Sequence, residues 1–304
     1  MQTWDAPEGQ MSQLSNQSIV NATRIGWVGL GKMGSLMAYR LLKAHYPVTI
    51  FNRSKEKEKA LVSLGATTSR SPAALMEQSD VIFVMVSDDK ATREIFTGEN
   101  GLLRSKTTGK IVINTSTVSA GISRNLARFC KQQGNEYLDA PVSGSTKQAG
   151  EGQLVIMVGG EEAIFQVIKP ILEHLATFVL LVGSHGNGNS AKLAMNILLG
   201  FNILGLAESI VFARRQGINI ADLTTLIDKS ALGNTFNKTK GEAIIRNNYK
   251  AEFALHQIAK DLRLAREAGK PTPLLDAVFL TFQEAELSLG EEDVISIVKY
   301  LTPQ

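Results

Sequence analysis

The sequence predicts an α/β fold in which a doubly wound parallel sheet occupies the N-terminal half and an all-α domain follows it. Short apolar runs alternate with amphipathic stretches from position 24 to about position 183. Most of these runs are apolar at nearly every position, as strands buried on both faces are. Beyond the glycine-rich stretch at 183–188, apolar residues recur at helical spacing with no convincing strand among them.

The strand candidates are RIGWV (24–28), VTIFN (48–52), VIFVMV (81–86), KIVINTS (110–116), EYLDA (136–140), LVIMVGG (154–160) and FVLLVG (178–183). Between them, amphipathic patterns predict helices at 33–44, 55–64, 72–78, 119–133 and 161–175. This alternation is the pattern that packs helices on both faces of one sheet. From 190 to 215 the helical spacing continues without proline, predicting one helix of roughly seven turns. Further helices are expected at 220–229, 238–247, 255–268, 271–289 and 291–300. The expected division is a flexible tail at 1–22, a sheet domain at 23–185 and a helical domain at 186–304.

The chain has 304 residues, 44% of them hydrophobic, enough for two domains of ~100–200 residues with sizeable cores. Its 32 Lys and Arg against 29 Asp and Glu leave a net charge of +3, spread along the chain. So small an excess argues against a nucleic-acid or membrane partner. The single cysteine, Cys130, rules out an intramolecular disulfide framework and fits a reducing compartment; it reads as a half-buried helical thiol. No apolar run reaches the ~20 residues of a membrane span, and 1–22 lack the features of signal or transit peptides. A cytoplasmic protein is the expectation. Without a cluster of His, Cys and carboxylate residues, no metal site is expected.

Gly29-Leu30-Gly31-Lys32-Met33-Gly34 is a GxGxxG directly after the first strand and opening a helix. In that context the first glycine permits the tight turn, the second lets the backbone approach a pyrophosphate, and the third lets helix and strand pack closely. Unpaired N–H groups at the helix start then face the phosphates. The first domain is therefore read as a Rossmann-type dinucleotide-binding sheet. Its second strand ends in Phe51-Asn52-Arg53-Ser54, where NAD binders tend to carry a carboxylate for the ribose hydroxyls. Arg53 can instead pair with a 2′-phosphate while Asn52 and Ser54 hydrogen-bond to it, so NADPH/NADP is the expected cofactor.

Three further segments follow strand ends. Asn114-Thr115-Ser116-Thr117 brings hydroxyls that can reach nicotinamide or substrate, or can cap the helix at 119–133. Asp139-Ala140-Pro141-Val142-Ser143-Gly144-Ser145 offers backbone N–H groups and hydroxyls to an anion such as a carboxylate, or forms an ordinary loop. Lys192 and Asn196, four residues apart, share one face of the long helix; by itself such a lysine also reads as a solvated charge.

GLGKMGSLMA, DAPVSGS, GNGNSAKLAMN and KDLRLA together resemble the β-hydroxyacid dehydrogenase family, in that family's order and over about 24–301. The resemblance puts Gly29, Gly31, Met33 and Gly34 on the cofactor, Asn52, Arg53 and Ser54 at its 2′-phosphate, and Val86 and Thr117 on the nicotinamide side. It makes Ser143 and Gly144 the substrate-carboxylate segment, Lys192 the catalytic lysine and Asn196 the active-site amide, with Lys260 closing over the cofactor. FNRS, PVSGSTKQAGEGQL and FALHQIAKDLRLA are most similar to the glyoxylate/succinic semialdehyde reductases, including Ser145, and by that likeness Phe253 and Asp261 line the substrate pocket. Ala140 stands where those reductases tend to have Gly.

The resemblance implies hydride transfer between NADPH and a small carboxylate-bearing aldehyde or hydroxy acid, with Lys192 as proton donor. A homodimer or homotetramer is the expected assembly. The rivals are a relative acting on 3-hydroxyisobutyrate or tartronate semialdehyde, an imine reductase, and a non-catalytic dinucleotide-binding module. Imine reductases generally lack the lysine, and retention of both Lys192 and Asn196 argues against the last.

Overall fold

The computed structural model describes residues 23–302, and the tail expected at 1–22 lies outside them. The chain divides into two compact units, Met1–Asn189 and Ser190–Gln304.

The first unit carries strands β1 (Ile25–Val28), β2 (Val48–Phe51), β3 (Thr67–Thr68), β4 (Val81–Val84), β5 (Ile111–Asn114), β6 (Glu136–Asp139), β7 (Val142–Ser143), β8 (Leu154–Gly159) and β9 (Ala176–Gly183). Its helices are α1 (Lys32–Lys43), α2 (Lys59–Val62), α3 (Pro72–Gln78), α4 (Asp89–Thr97), α5 (Ala120–Gln132), α6 (Thr146–Glu151) and α7 (Glu162–Leu172). The sheet order is β3-β2-β1-β4-β5-β6-β8-β7, with β9 beside β8.

The strands alternate sides as the pleat requires, and both sides are buried. Ile25 and Trp27 of β1 and Val81 and Phe83 of β4 point into one core with Met37 and Leu41 of α1. Val28, Ile82 and Val84 point into the other, with Leu75 and Met76 of α3 and Leu126 of α5. Trp27 stacks on Phe83 at 5.1 Å between ring centroids. Each fully buried side chain of this kind stabilises the fold by about 1.5–3 kcal/mol. The sheet is doubly wound, and its order turns outward in both directions from β1 and β4, which places a crevice beyond their carboxyl ends.

The sheet is doubly wound and mainly parallel, as expected, and departs from parallel only at its far end. β1 to β6 run parallel, but β8 lies antiparallel to β6 and β7, and β9 follows β8. The connection between β7 and β8 holds only the six-residue α6, closed by Gly152 at φ +72°. A parallel crossover needs about a dozen residues or more, so the chain reverses instead. β3, β7, α4 and α6 were not foreseen: the strands have two residues each and α6 has six.

In the second unit, α8 (Asn187–Arg215) continues past the division and is followed by α9 (Ile220–Lys229), α10 (Thr235–Ile245), α11 (Leu255–Glu267), α12 (Pro273–Leu289) and α13 (Ile297–Leu301). Ile203, Ala207 and Ile210 of α8, Ile258 and Leu262 of α11 and Val278 and Phe282 of α12 form its core. Helix α10 begins three residues before the expected 238, because Asn234 accepts a hydrogen bond from Asn237 N at 2.8 Å and caps it there.

Asn189 is the last residue of the first unit, and one side chain holds residues 186 and 189 against that unit. Asp139, buried at the end of β6, accepts from Gly186 N at 2.7 Å and Asn189 N at 2.9 Å. The Asn189 amide in turn accepts from Val118 N and donates to Ser123 Oγ. The first turn of α8 is thereby tied to the sheet.

Candidate active site

The turn after β1 uses its glycines in distinct ways. Gly29 sits at φ +98°, and a Cβ there would lie 2.0 Å from Met85 O. A Cβ on Gly34 would lie 2.2 Å from Gly29 O, so that glycine brings α1 against the turn. At Gly31 a Cβ would meet no protein atom within 4 Å. The space beside Gly31 is therefore open at the N-terminus of α1, where a pyrophosphate would approach the helix N–H groups. The residues present fit a dinucleotide. Leu30 is buried, Lys32 is exposed and Met33 half-buried on the same turn.

The end of β2 is organised around Asn52. Its Oδ1 accepts from Leu30 N at 2.9 Å and its Nδ2 donates to Ser54 O at 2.9 Å, so the amide ties the glycine turn to the following loop. Arg53 and Ser54 are exposed beside it. Behind this loop lies a carboxylate that the motif reading missed: Glu58, 4% exposed, accepts from Asn52 N at 2.8 Å and pairs with Lys55 Nζ at 2.9 Å. It closes a short charged 3-10 turn, Lys55–Glu58, whose sequence does not set it apart, and only the fold turns it back to β2.

At the ends of β4 and β5 most of the hydroxyl run proves structural. Thr115 Oγ1 donates to Val84 O, Ser116 Oγ accepts from Val86 N, and Asn114 Nδ2 donates to the Tyr137 hydroxyl. Asn114, Thr115 and Ser116 are buried, while Val86 and Thr117 are half-buried. The capping role falls to Ser119, whose Oγ accepts from Ile122 N and donates to Asp89.

The Ser143-Gly144-Ser145 segment leaves β7 beyond the carboxyl end of β6. Gly144 is at φ +145° and exposed, and Ser143 is half-exposed. Ser145 caps α6: its Oγ accepts from Gln148 N, and its own N–H donates to Gln148 Oε1 at 2.8 Å. The Ser145 N–H is thereby used within the chain rather than offered to an anion, which leaves the half-exposed Ser143 and the exposed Gly144 for that role.

The second unit gathers Lys192 and Asn196 of α8 with Lys260 and Asp261 of α11. Asn196 and Asp261 are both 3% exposed, and Asn196 Nδ2 donates to Asp261 Oδ2 at 2.6 Å. Lys260 Nζ stands 3.0 Å from Asp261 Oδ1. Burial pushes the Lys192 ammonium below the ordinary lysine range; Asp261 opposes that fall and Lys260 adds to it. A desolvated ammonium steadied by a buried carboxylate is a competent proton donor and base. Phe253 is half-buried two residues before α11.

Other groups are committed elsewhere. His185 Nε2 lies 2.9 Å from Tyr137 O, and His256 Nδ1 lies 2.9 Å from Gly290 O. Cys130 is fully buried rather than half-buried, and burial pushes its thiol up to about 12.

Residues 24–183 match the family model described as the NAD binding domain of 6-phosphogluconate dehydrogenase. Residues 186–301 match the model described as NAD-binding of NADP-dependent 3-hydroxyisobutyrate dehydrogenase. The chain is 35% identical to 2-hydroxy-3-oxopropionate reductase of Escherichia coli K12, over 83% of this chain and 86% of that one. It is 30% identical to glyoxylate/succinic semialdehyde reductase 2, chloroplastic, of Arabidopsis thaliana, over 96% and 83%. Among solved structures, Mycobacterium tuberculosis 3-hydroxyisobutyrate dehydrogenase with L-serine superposes with a TM-score of 0.85 at 26% identity, over 92% and 99%.

Proposed function

This chain belongs to the β-hydroxyacid dehydrogenase family, and we propose that within it the chain is an NADPH-dependent reductase of small aldehyde acids such as glyoxylate and succinic semialdehyde. It is an NAD(P)-dependent oxidoreductase acting on hydroxyl or aldehyde groups: both family models are NAD-binding ones, and relatives in Escherichia coli, Arabidopsis and rat are named as reductases or dehydrogenases of such compounds. The observation that carries the reductase chemistry is the desolvated Lys192 beside the Asn196–Asp261 pair; the preference for NADPH rests on Arg53 exposed at the end of β2, and the choice of acids on the likeness to glyoxylate/succinic semialdehyde reductase 2.

When bound, the nicotinamide cofactor supplies the hydride. The turn from Gly29 to Gly34 holds its pyrophosphate, Asn52 fixes that turn, and Arg53 and Ser54 take the 2′-phosphate. Ser143 and Gly144 hold the substrate carboxylate, with Val86 and Thr117 on the nicotinamide side. Lys192 keeps a proton on Nζ and gives it to the oxygen as negative charge develops there. Asp261 favours the charged form of that lysine against its burial, and Asn196 orients the pair. In the oxidative direction Lys192 accepts the proton. The assembly belongs to the same proposal: Met195, Leu198 and Phe212 of α8 are apolar side chains exposed in one copy, available to a second copy in a dimer or tetramer.

The test is a panel of NADPH and NADH oxidation rates with glyoxylate, succinic semialdehyde, methylmalonate semialdehyde and tartronate semialdehyde. The reading requires NADPH to be preferred and one of the first two acids to be the best substrate. Equal or better rates with NADH overturn the assignment of Arg53, and no turnover of any acid overturns the reductase.

A further inference from the structure

A buried ion pair in the helical unit lies outside the Lys192 cluster. Lys240 of α10 is 8% exposed, and its Nζ stands 2.9 Å from Asp293 Oδ1, 3.0 Å from Asp293 Oδ2 and 3.5 Å from Glu252 Oε2. Asp293, 2% exposed, uses the same two oxygens to accept backbone N–H groups. Oδ2 takes Glu252 N at 3.1 Å and Phe253 N at 3.4 Å, and Oδ1 takes Ile295 N at 3.2 Å. The backbone completes the clamp, with Val294 N donating to Phe253 O at 2.9 Å and Asp293 N to Tyr249 O at 2.9 Å. Phe253 is thus held at both its N–H and its carbonyl by one short stretch, 293–294.

Two buried charges are an expensive way to hold a core together, since apolar residues of similar size often serve stability as well or better. What the pair adds is direction. Lys240 commits both carboxylate oxygens, so the N–H groups of 252 and 253 have one place to point. We propose that Lys240 and Asp293 are a positioning pair that sets the place of the Phe253 ring, and through it the chain length of aldehyde acid the enzyme takes. This rests on the reading of Phe253 as a wall of the substrate pocket. A displaced ring costs succinic semialdehyde more than glyoxylate, because only the longer acid has methylenes for the ring to pack against.

Lys240→Met keeps the stem and removes the charge. Its ratio of kcat/KM for succinic semialdehyde over glyoxylate falls about tenfold or more, the scale on which an apolar wall discriminates a methylene, and the fall comes through KM. The Glu252 and Phe253 amides exchange hydrogen faster than the change in global stability explains. Phe282→Leu, a core change in α12, lowers Tm while leaving the ratio and those two amides as in wild type. If Lys240→Met does not fold, Asp293→Asn replaces it and lowers the same ratio. An active wild type whose charge variants keep its ratio and its exchange overturns the pair. A wild type that turns over neither acid overturns the reductase reading instead, and exchange at 252 and 253 alone then decides, unchanged protection sinking the proposal.

Discussion

Gly31 and Gly34 differ by three positions yet fail differently when a methyl is added. Gly34→Ala places carbon 2.2 Å from Gly29 O and 3.3 Å from Trp27 Nε1, so turn or helix must shift before the cofactor is considered. Overpacking of this kind costs about 1–3 kcal/mol of stability, seen as a lower Tm without ligand. Gly31→Ala meets no protein atom within 4 Å, and its φ of −73° and ψ of −175° suit alanine. Losing glycine from a helix N-cap and restricting the unfolded chain act in opposite directions, each by under about 1 kcal/mol, so its Tm without ligand stays near wild type. The methyl fills the space reserved for the pyrophosphate, where a clash of about 1–3 kcal/mol weakens Kd roughly 5- to 150-fold. Scanning fluorimetry with and without NADPH, with Kd from cofactor fluorescence, reads both effects. A Gly31→Ala protein that binds NADPH as tightly as wild type refutes the assignment of that open space.

Other outcomes follow from the same geometry. Arg53→Glu exchanges a phosphate partner for a repelling charge, and the NADPH-over-NADH ratio of kcat/KM drops roughly 10- to 100-fold; an unchanged ratio removes Arg53 from the 2′-phosphate. Because burial lowers the Lys192 pKa, the reduction rate declines as pH rises through a value below 10.5, while the oxidation rate climbs over the same range. A reduction rate that stays level into the ordinary lysine range contradicts this. With its thiol buried and pushed up to about 12, Cys130 resists a disulfide reagent at neutral pH until the protein unfolds, and rapid stoichiometric labelling of native protein counts against the fold around α5.

The sheet was readable because its strands are apolar at consecutive positions and the glycine turn follows one of them. What escaped lacks that signal. Both residues of β3, Thr67 and Thr68, are exposed, and the reversal at β8 depends on the brevity of α6, whose sequence contains Gly150. The helical spacing of Lys192 and Asn196 was legible because it is local. Their partner Asp261 lies 65 residues from Asn196 and was reached through resemblance to a family. Nothing local links Lys240 to Asp293, 53 residues apart. In the hydroxyl run at 114–117, residue type alone could not separate side chains that face a ligand from those that satisfy buried backbone; burial does. Asp139 stood in a recognised motif, yet its attachment to the first turn of α8 depends on Gly186 and Asn189 being folded against it.

The central claim is that Lys192 supplies the proton for carbonyl reduction. Lys192→Met keeps the length of the side chain and removes the ammonium. Single-turnover oxidation of NADPH by succinic semialdehyde and by glyoxylate, with NADPH Kd measured on the same protein, tests the claim directly. The account predicts reduction slowed by about 100-fold or more, the usual worth of a positioned acid, with Kd within about twofold of wild type. A Lys192→Met protein that reduces either acid at close to the wild-type rate contradicts it.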